Sequence, residues 1–303
     1  MPMSDHPLDR RGFGLASAAA VAAISAPSVG ASLTPARVKV FERKLGITTS
    51  SFSGHLAPEK TTGKLTLLEL PRLLRDELDL TVIDLNTSTL ASEEPAYLDR
   101  LRKAADDAGC VLTNLKLNQR DVDMNSPDKE TRTRALDEYK RSIDAAARLG
   151  CRWARPLPSA AKPDMAIHVA SYRELCDYAA ERNVQMLIEN YGWMDGDPDS
   201  VPKLIEAIDR DVAVSPDTGN WSSNEVRYAA LAKIFPYAVT CDFKARELGP
   251  DGAHSLYDLR RCFEIGRSSG FRGPWCFEHA NRDRAVLLRE LGLLRDMLKG
   301  WMA

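Results

Sequence analysis

The chain has 303 residues, 44% of them hydrophobic and 28% charged, with a formal net charge of −2. That is enough apolar material for one large domain with a well-buried core. Acids and bases are mixed along the chain, which excludes the basic face that nucleic-acid binding requires.

The first stretch reads as a targeting segment. Asp9-Arg10-Arg11-Gly12-Phe13-Gly14-Leu15 is similar to a twin-arginine export motif, and the apolar run Leu15 to Ile24 behind it is too short and too rich in alanine to span a bilayer. Val29-Gly30-Ala31 offers small residues for cleavage. The alternative is a disordered, Ala-rich tail. The expected organisation is an export signal over residues 1–31 and one domain over 32–303, in a periplasmic or secreted protein with no stable membrane insertion once the signal is gone. Losing Asp5, Asp9, Arg10 and Arg11 with the signal leaves the charge at −2.

Six cysteines in an exported chain invite a disulfide reading. Their positions argue against it, since Cys241 and Cys276 fall inside predicted strands and Cys176 and Cys262 inside predicted helices. Only Cys110 and Cys151, at the starts of two strands, are placed as neighbours. The set reads as small buried fillers.

In chain order, Leu45–Ser50 predicts a first strand. Leucines at 67, 70, 74 and 78 predict a helix that tolerates Pro71 only in its first turn. Leu80–Leu85 is the second strand and Pro95–Ala108 the second helix. Val111–Asn118 alternates with period two, which puts Asn114, Lys116 and Asn118 on one face. A helix follows from Asp128 to Leu149 with Gly150 as its stop, then a strand over Cys151–Arg155 and a helix over Ala166–Arg182. The second half repeats the rhythm, with strands ending at Glu189, Asp217, Asp242 and Glu278 and helices over Val201–Ile208, Asn224–Phe235, Ser255–Ser268 and Arg284–Leu298. Eight strand–helix units predict an α/β fold with a parallel sheet closed into a (β/α)₈ TIM barrel. An open doubly wound sheet is the structural alternative, but no G-x-G-x-x-G follows the first strand.

The last four strands carry the chemistry. Val184–Glu189, Val212–Asp217, Tyr237–Asp242 and Trp275–Glu278 each end in an acid, at the end of the strand where barrel enzymes keep their sites. Counting back by two from the acids meets Leu187, Ser215 and Ala213, Thr240 and Ala238, and Cys276, which are mostly small or mildly polar. The opposite parity holds Val212, Val214, Val239, Cys241, Phe243, Trp275 and Phe277, which suit the layer under the helices. Four carboxylates at one mouth repel one another unless positive charge sits among them. A divalent cation with oxygen ligands, Mn²⁺ or Mg²⁺, is one answer; separate pairing of each acid with Lys or Arg is the other.

These residues resemble a family. Met186-Leu187-Ile188-Glu189-Asn190, Ser215-Pro216-Asp217-Thr218-Gly219-Asn220 and Phe277-Glu278 are similar to the xylose isomerase-like barrels, and among them to the sugar phosphate isomerase/epimerase group. The resemblance covers roughly residues 40–300. It implies one divalent metal ion held by Glu189, Asp217, Asp242 and Glu278, with Asp242 standing where the group usually has His. It also implies Glu189 and Glu278 as catalytic base and acid in an enolisation, the substrate being a keto-sugar or oxidised glycoside. Lys244 shares parity with Asp242 and is a candidate to polarise a substrate oxygen. Arg155, at the end of strand four, Lys116, Trp193, Trp221 and His279 are candidate substrate contacts. Lys244 reads equally as an ion-pair partner, and the tryptophans as loop packing. The expected partner is a small carbohydrate, without nucleic acid; a homo-oligomer stays open. Two other readings are a non-catalytic carbohydrate-binding barrel and an endonuclease IV-like metal hydrolase, for which five histidines are few.

The export expectation is checked in the cell. Changing Arg10 and Arg11 together to Lys should leave precursor in the cytoplasm, and unaltered secretion would remove the assignment.

Overall fold

In the computed structural model, residues 41–119 and 121–303 are described; the export expectation over 1–31 lies outside them. The strands are β1 (Leu45–Thr48), β2 (Val82–Asn86), β3 (Val111–Leu117), β4 (Trp153–Pro156), β5 (Gln185–Ile188), β6 (Val212–Val214), β7 (Cys241–Lys244) and β8 (Trp275–Glu278). They pair in the order β6-β5-β4-β3-β2-β1-β8-β7, and every pairing is parallel. The bridges Val214 to Ala238 and Asp217 to Asp242 join the two ends. The sheet is therefore a closed eight-stranded barrel, as the alternation of strand and helix patterns predicts.

Among the described residues eight α-helices surround it: α1 (Leu70–Leu78), α2 (Pro95–Asp107), α3 (Lys129–Leu149), α4 (Met165–Ala180), α5 (Ser200–Ile208), α6 (Asn224–Ile234), α7 (Leu259–Ser268) and α8 (Arg284–Met302). Five of their starts are fixed by side-chain caps. Asp128, Asp164, Ser223, Asp258 and Asp283 each accept a hydrogen bond from a backbone N–H in the first turn that follows. Gly150 closes α3 at φ +77°, a conformation that costs glycine nothing. Several boundaries depart from expectation: β6 ends at Val214 and not at Asp217, the first helix starts at Leu70 and not Leu67, and β4 starts at Trp153 and not Cys151. Two others have a clear local cause. α7 begins at Leu259 rather than Ser255 because Asp258 is its cap. β7 begins at Cys241 rather than Tyr237 because Phe235–Tyr237, with Pro236 inside it, forms a turn of 3₁₀ helix.

Alternation divides the apolar residues into two cores. Ile47, Ile83, Leu115, Met186, Ile188, Val214, Phe243 and Phe277 face outward and pack beneath the helices. Inside the barrel a smaller cluster of Phe41, Val82, Trp153, Leu187, Ala213, Val239 and Cys276 forms an apolar floor. Val239 belongs to this floor and not to the outer layer expected for it, because it precedes β7 and does not follow that strand's alternation. All six cysteines are free and buried. Among the described residues no helix is long and apolar enough to cross a membrane.

Gly46 sits where the inner wall is tightly packed. A Cβ there would lie 2.6 Å from the Val82 carbonyl oxygen and 2.8 Å from the Val82 Cβ. Gly46→Ala should cost about 1–3 kcal/mol in urea unfolding, as overpacking of a core does. Gly54→Ala, where a Cβ meets nothing within 4 Å, should stay within about 0.5 kcal/mol.

Candidate active site

Above the apolar floor the barrel interior turns polar in one step. Asp84 on β2 is fully buried and accepts from Thr113, from Asn114 Nδ2 at 3.5 Å and from Thr240 Oγ1 at 3.2 Å. Burial pushes its carboxyl above the ordinary range, against the pull of the Lys116 ammonium. One layer higher come the ends of the strands. Asn86, Lys116 and Arg155 sit level on β2, β3 and β4, and Lys244 pairs in register with Glu278 on β7 and β8.

The four expected acids do meet at this mouth, and each is held by a cationic side chain. Lys244 Nζ lies 2.9 Å from Asp217 Oδ2 and 2.7 Å from Glu278 Oε1. Lys116 Nζ is hydrogen-bonded to Asp242 and lies 4.0 Å from Glu278 Oε2. Arg155 Nε stands 2.8 Å from Glu189 Oε2, while its Nη1 donates to Asn118 Oδ1 at 2.7 Å. Three cations thus stand among four carboxylates. Both lysines are buried, Lys116 to 1% exposure and Lys244 to 7%.

Burial and the neighbouring charges shift these groups in different directions. Burial alone would discharge Lys116, but Asp242, Glu189 and Glu278 outweigh it and hold its pKa above the ordinary value. Lys244 is raised in the same way by Asp217 and Glu278. Burial pushes Glu278 upward, and the Lys244 and Lys116 charges overcome it, leaving the carboxyl below the ordinary range. Burial pushes Asp217 up to about 6 with Lys244 opposing, and pushes Asp242 well above the ordinary range with Lys116 opposing.

Asp217 is the most constrained of the four. Besides Lys244 it accepts from the Gly219 and Asn220 backbone N–H groups, at 2.6 and 3.1 Å, and from Asn220 Nδ2 at 2.7 Å. Asn190, next to Glu189, accepts from the Asp217 N–H at 2.9 Å and donates to the Asp217 carbonyl at 2.9 Å. The stem of Lys244 runs over Gly219, where a Cβ would lie 2.6 Å from Lys244 Cδ. That glycine is required by close approach and not by its backbone angles.

A cavity of about 500 Å³ opens onto this layer, within the range of small-ligand sites. Lys116, Arg155, Glu189, Lys244 and Glu278 line it, together with Asn86, Asn118, Asn220, Tyr139 and Tyr191. Loop residues after β3 and β4, among them Gln119, Asn125 and Ser159, form its outer wall. The parity of β3 already places Asn118 beside Lys116. Tyr139 has no such signal, since it lies on α3 and reads as core.

Three candidate substrate contacts do not line the cavity. Trp193 packs edge-on to His168 and lies near Lys162. Trp221 is buried, and neither indole N–H has a hydrogen-bond partner. His279 has both ring nitrogens engaged, at 2.9 Å from the Ala245 carbonyl and 2.7 Å from Glu290 Oε2.

The implied metal does not fit the side chains as they stand. Every carboxylate of the expected ligand set is already in contact with Lys or Arg, and Asp217 accepts from three further donors. A doubly charged ion at 4 Å from an ammonium would meet roughly 8 kcal/mol of repulsion at an effective dielectric of 20. Among the described residues no group of three or more His, Cys, Asp or Glu is arranged to hold an ion.

Fold and site together define a TIM barrel with a small polar cavity at the carboxyl ends of its strands. A profile of the xylose isomerase-like TIM barrel family matches residues 77–299, and the chain belongs to that family. No curated protein matches it in sequence. Among solved structures, D-psicose 3-epimerase from Clostridium cellulolyticum, in complex with D-tagatose, superposes with a TM-score of 0.67 at 16% identity, over 86% of this chain and 99% of that one. The 3-keto-D-glucoside 4-epimerase of E. coli gives 0.62 at 16%, over 84% and 99%. A xylose isomerase-like TIM barrel protein from Mycobacterium smegmatis, in complex with magnesium, gives 0.62 at 18%, over 88% and 99%.

Lys116 and Asp242 make a pH-dependent prediction. Lys116→Met strands a buried carboxylate and should cost about 3–5 kcal/mol near neutral pH. The folded-state pKa of Asp242 is raised, so its ionisation opposes folding above that pKa and ceases to matter as pH falls toward 3.8. Without Lys116 the pKa rises further. Urea unfolding of parent and variant should therefore show a deficit that shrinks from neutral to mildly acid pH; a deficit that grows would contradict the pairing.

Proposed function

We propose that the protein is a sugar isomerase or epimerase, or a related lyase, acting on a keto-sugar or oxidised glycoside by removing a proton α to the carbonyl. One observation carries the reading: Glu189, just past β5, and Glu278, at the end of β8, line one cavity that also presents Lys116, Lys244 and Arg155. The sugar epimerases among the structural neighbours support it, including one that acts on a 3-keto-glucoside.

The steps follow from charge and position. Glu278, kept ionised by two ammonium groups, is the base. As it takes the proton, the C–H electron pair becomes the C=C bond of an enediolate, and the carbonyl π pair moves onto oxygen. Positive charge already fixed beside that oxygen stabilises it without reorganisation. Asn86, Asn118 and Asn220 offer the donors and acceptors that sugar hydroxyls need. The three outcomes differ in the last step. Glu278 returning the proton to the neighbouring carbon, as the hydroxyl proton passes to the former carbonyl oxygen, gives isomerisation; Glu189 passing a proton taken from solvent to the opposite face gives epimerisation; and departure of a β-substituent with its bonding pair gives elimination. An exported protein would meet free sugars and glycosides in place of phosphorylated ones.

Exchange of solvent deuterium into ketohexoses and 3-keto-glycosides tests this. Glu278→Gln should lower exchange by about 10² to 10⁴-fold, the usual worth of a general base. Glu189→Gln in an epimerase should keep exchange and lose inversion. Exchange at the parental rate in Glu278→Gln would refute the assignment of the base. A parent that binds these sugars without any exchange would instead be a carbohydrate-binding barrel.

A further inference from the structure

Four carboxylates at one barrel mouth require compensating positive charge. A bound divalent ion supplies it from solution; this chain supplies it covalently. Asp217, Lys244, Glu278, Lys116 and Asp242 form a continuous series in which acid and base alternate, with Nζ–O separations of 2.9 Å, 2.7 Å and 4.0 Å and a direct Lys116–Asp242 hydrogen bond. Both ammonium groups are held within the layer by these contacts. Lys116 is buried from β3 to its tip, and the stem of Lys244 is wedged against Gly219.

We propose that Lys116 and Lys244 hold the place of a divalent metal in this barrel, and that Lys116 is the group that stabilises the substrate oxyanion. The first half stands on geometry alone; the second rests on the enolising function proposed above. Counting donors separates the two lysines. An ammonium has three N–H groups. Lys244 spends its three on Asp217, Glu278 and Asn220 Oδ1, the last at 3.1 Å. Lys116 spends one on Asp242, stands too far from Glu278 for a hydrogen bond, and lines the cavity. Of the two lysines, it alone has N–H groups left for a ligand. In the reaction, the pair released from the carbonyl π bond comes to rest on an oxygen facing Lys116 Nζ, while the proton goes to Glu278, so no further reactant is needed.

The first measurement needs no variant and no substrate. Full-length protein stripped with EDTA is titrated with MnCl₂ and with MgCl₂ by calorimetry, and its metal content is read by mass spectrometry after dialysis. The parent should take up no stoichiometric ion at micromolar free metal, and one tightly bound equivalent would overturn the proposal. Lys116→Met/Lys244→Met leaves the carboxylates uncompensated and should gain a site for Mn²⁺, seen as bound metal and as a metal-dependent rise in melting temperature. A folded double variant that binds nothing would also count against it. The parent titration holds whether or not the double variant folds. For the second half, deuterium exchange by the parent should be unchanged by EDTA, and Lys116→Met should lose about 10² to 10³-fold, as removal of an oxyanion donor does. Exchange that requires added Mn²⁺ would overturn the lysine assignment and leave the enolising function standing. Absence of exchange under all conditions would sink that function and, with it, the oxyanion role of Lys116, while the metal titration still decides the first half.

Discussion

Alternation of charge is what the mouth of this barrel depends on. Removing a charge from water costs several kcal/mol, and a pair repays it only when geometry and hydrogen bonding are good. Here Lys244 sits between Asp217 and Glu278, and Lys116 between Glu278 and Asp242, so each internal member of the series has opposite charge on both sides. Deleting one member exposes two neighbours. The arrangement also explains why the interior is graded. An apolar floor of Phe41, Trp153 and Leu187 closes the lower end beneath the pairs.

Between floor and mouth lies Asp84, whose partners are neutral: Thr113, Asn114 and Thr240. Ser215 performs the same office one step higher, donating to Asp242 Oδ2 at 3.1 Å. These short polar side chains fill the narrow interior and satisfy buried oxygens without adding charge. The ionic layer then rests on hydrogen-bonded groups that cannot easily shift. Arg155 closes the remaining side by joining Glu189, just past β5, to Asn118, just past β3.

Much of this was legible in the sequence because strands alternate with period two. The inward parity of Glu189, Asp217, Asp242 and Glu278 follows from it, and so does that of Lys116 with Asn114 and Asn118. Closure into eight units follows from the repeated strand and helix patterns. What alternation cannot reveal is pairing across the barrel. Lys116 and Asp242 are 126 residues apart, and their contact depends on register and tilt. The sequence left two answers to the acid cluster, a metal or separate ion pairs, and the side chains stand as ion pairs. Trp193 and Trp221 follow loop geometry that no pattern encodes, and they turn into the packing. Val239 faces inward against its alternation because a turn containing Pro236 delays the strand that would set its parity.

The contact between Gly219 and the stem of Lys244 joins two segments into one mechanical part. Thr218 reinforces it by accepting from the Lys244 N–H at 2.9 Å, and the Tyr257 hydroxyl pins the Lys244 carbonyl at 2.5 Å. The loop after β6 and the end of β7 therefore move together or not at all. A ligand that presses on that loop transmits its displacement through a methylene stem to an ammonium lodged between two carboxylates. Loop stiffness, set by a residue that carries no charge, thus fixes how far the electric field at Glu278 can fluctuate.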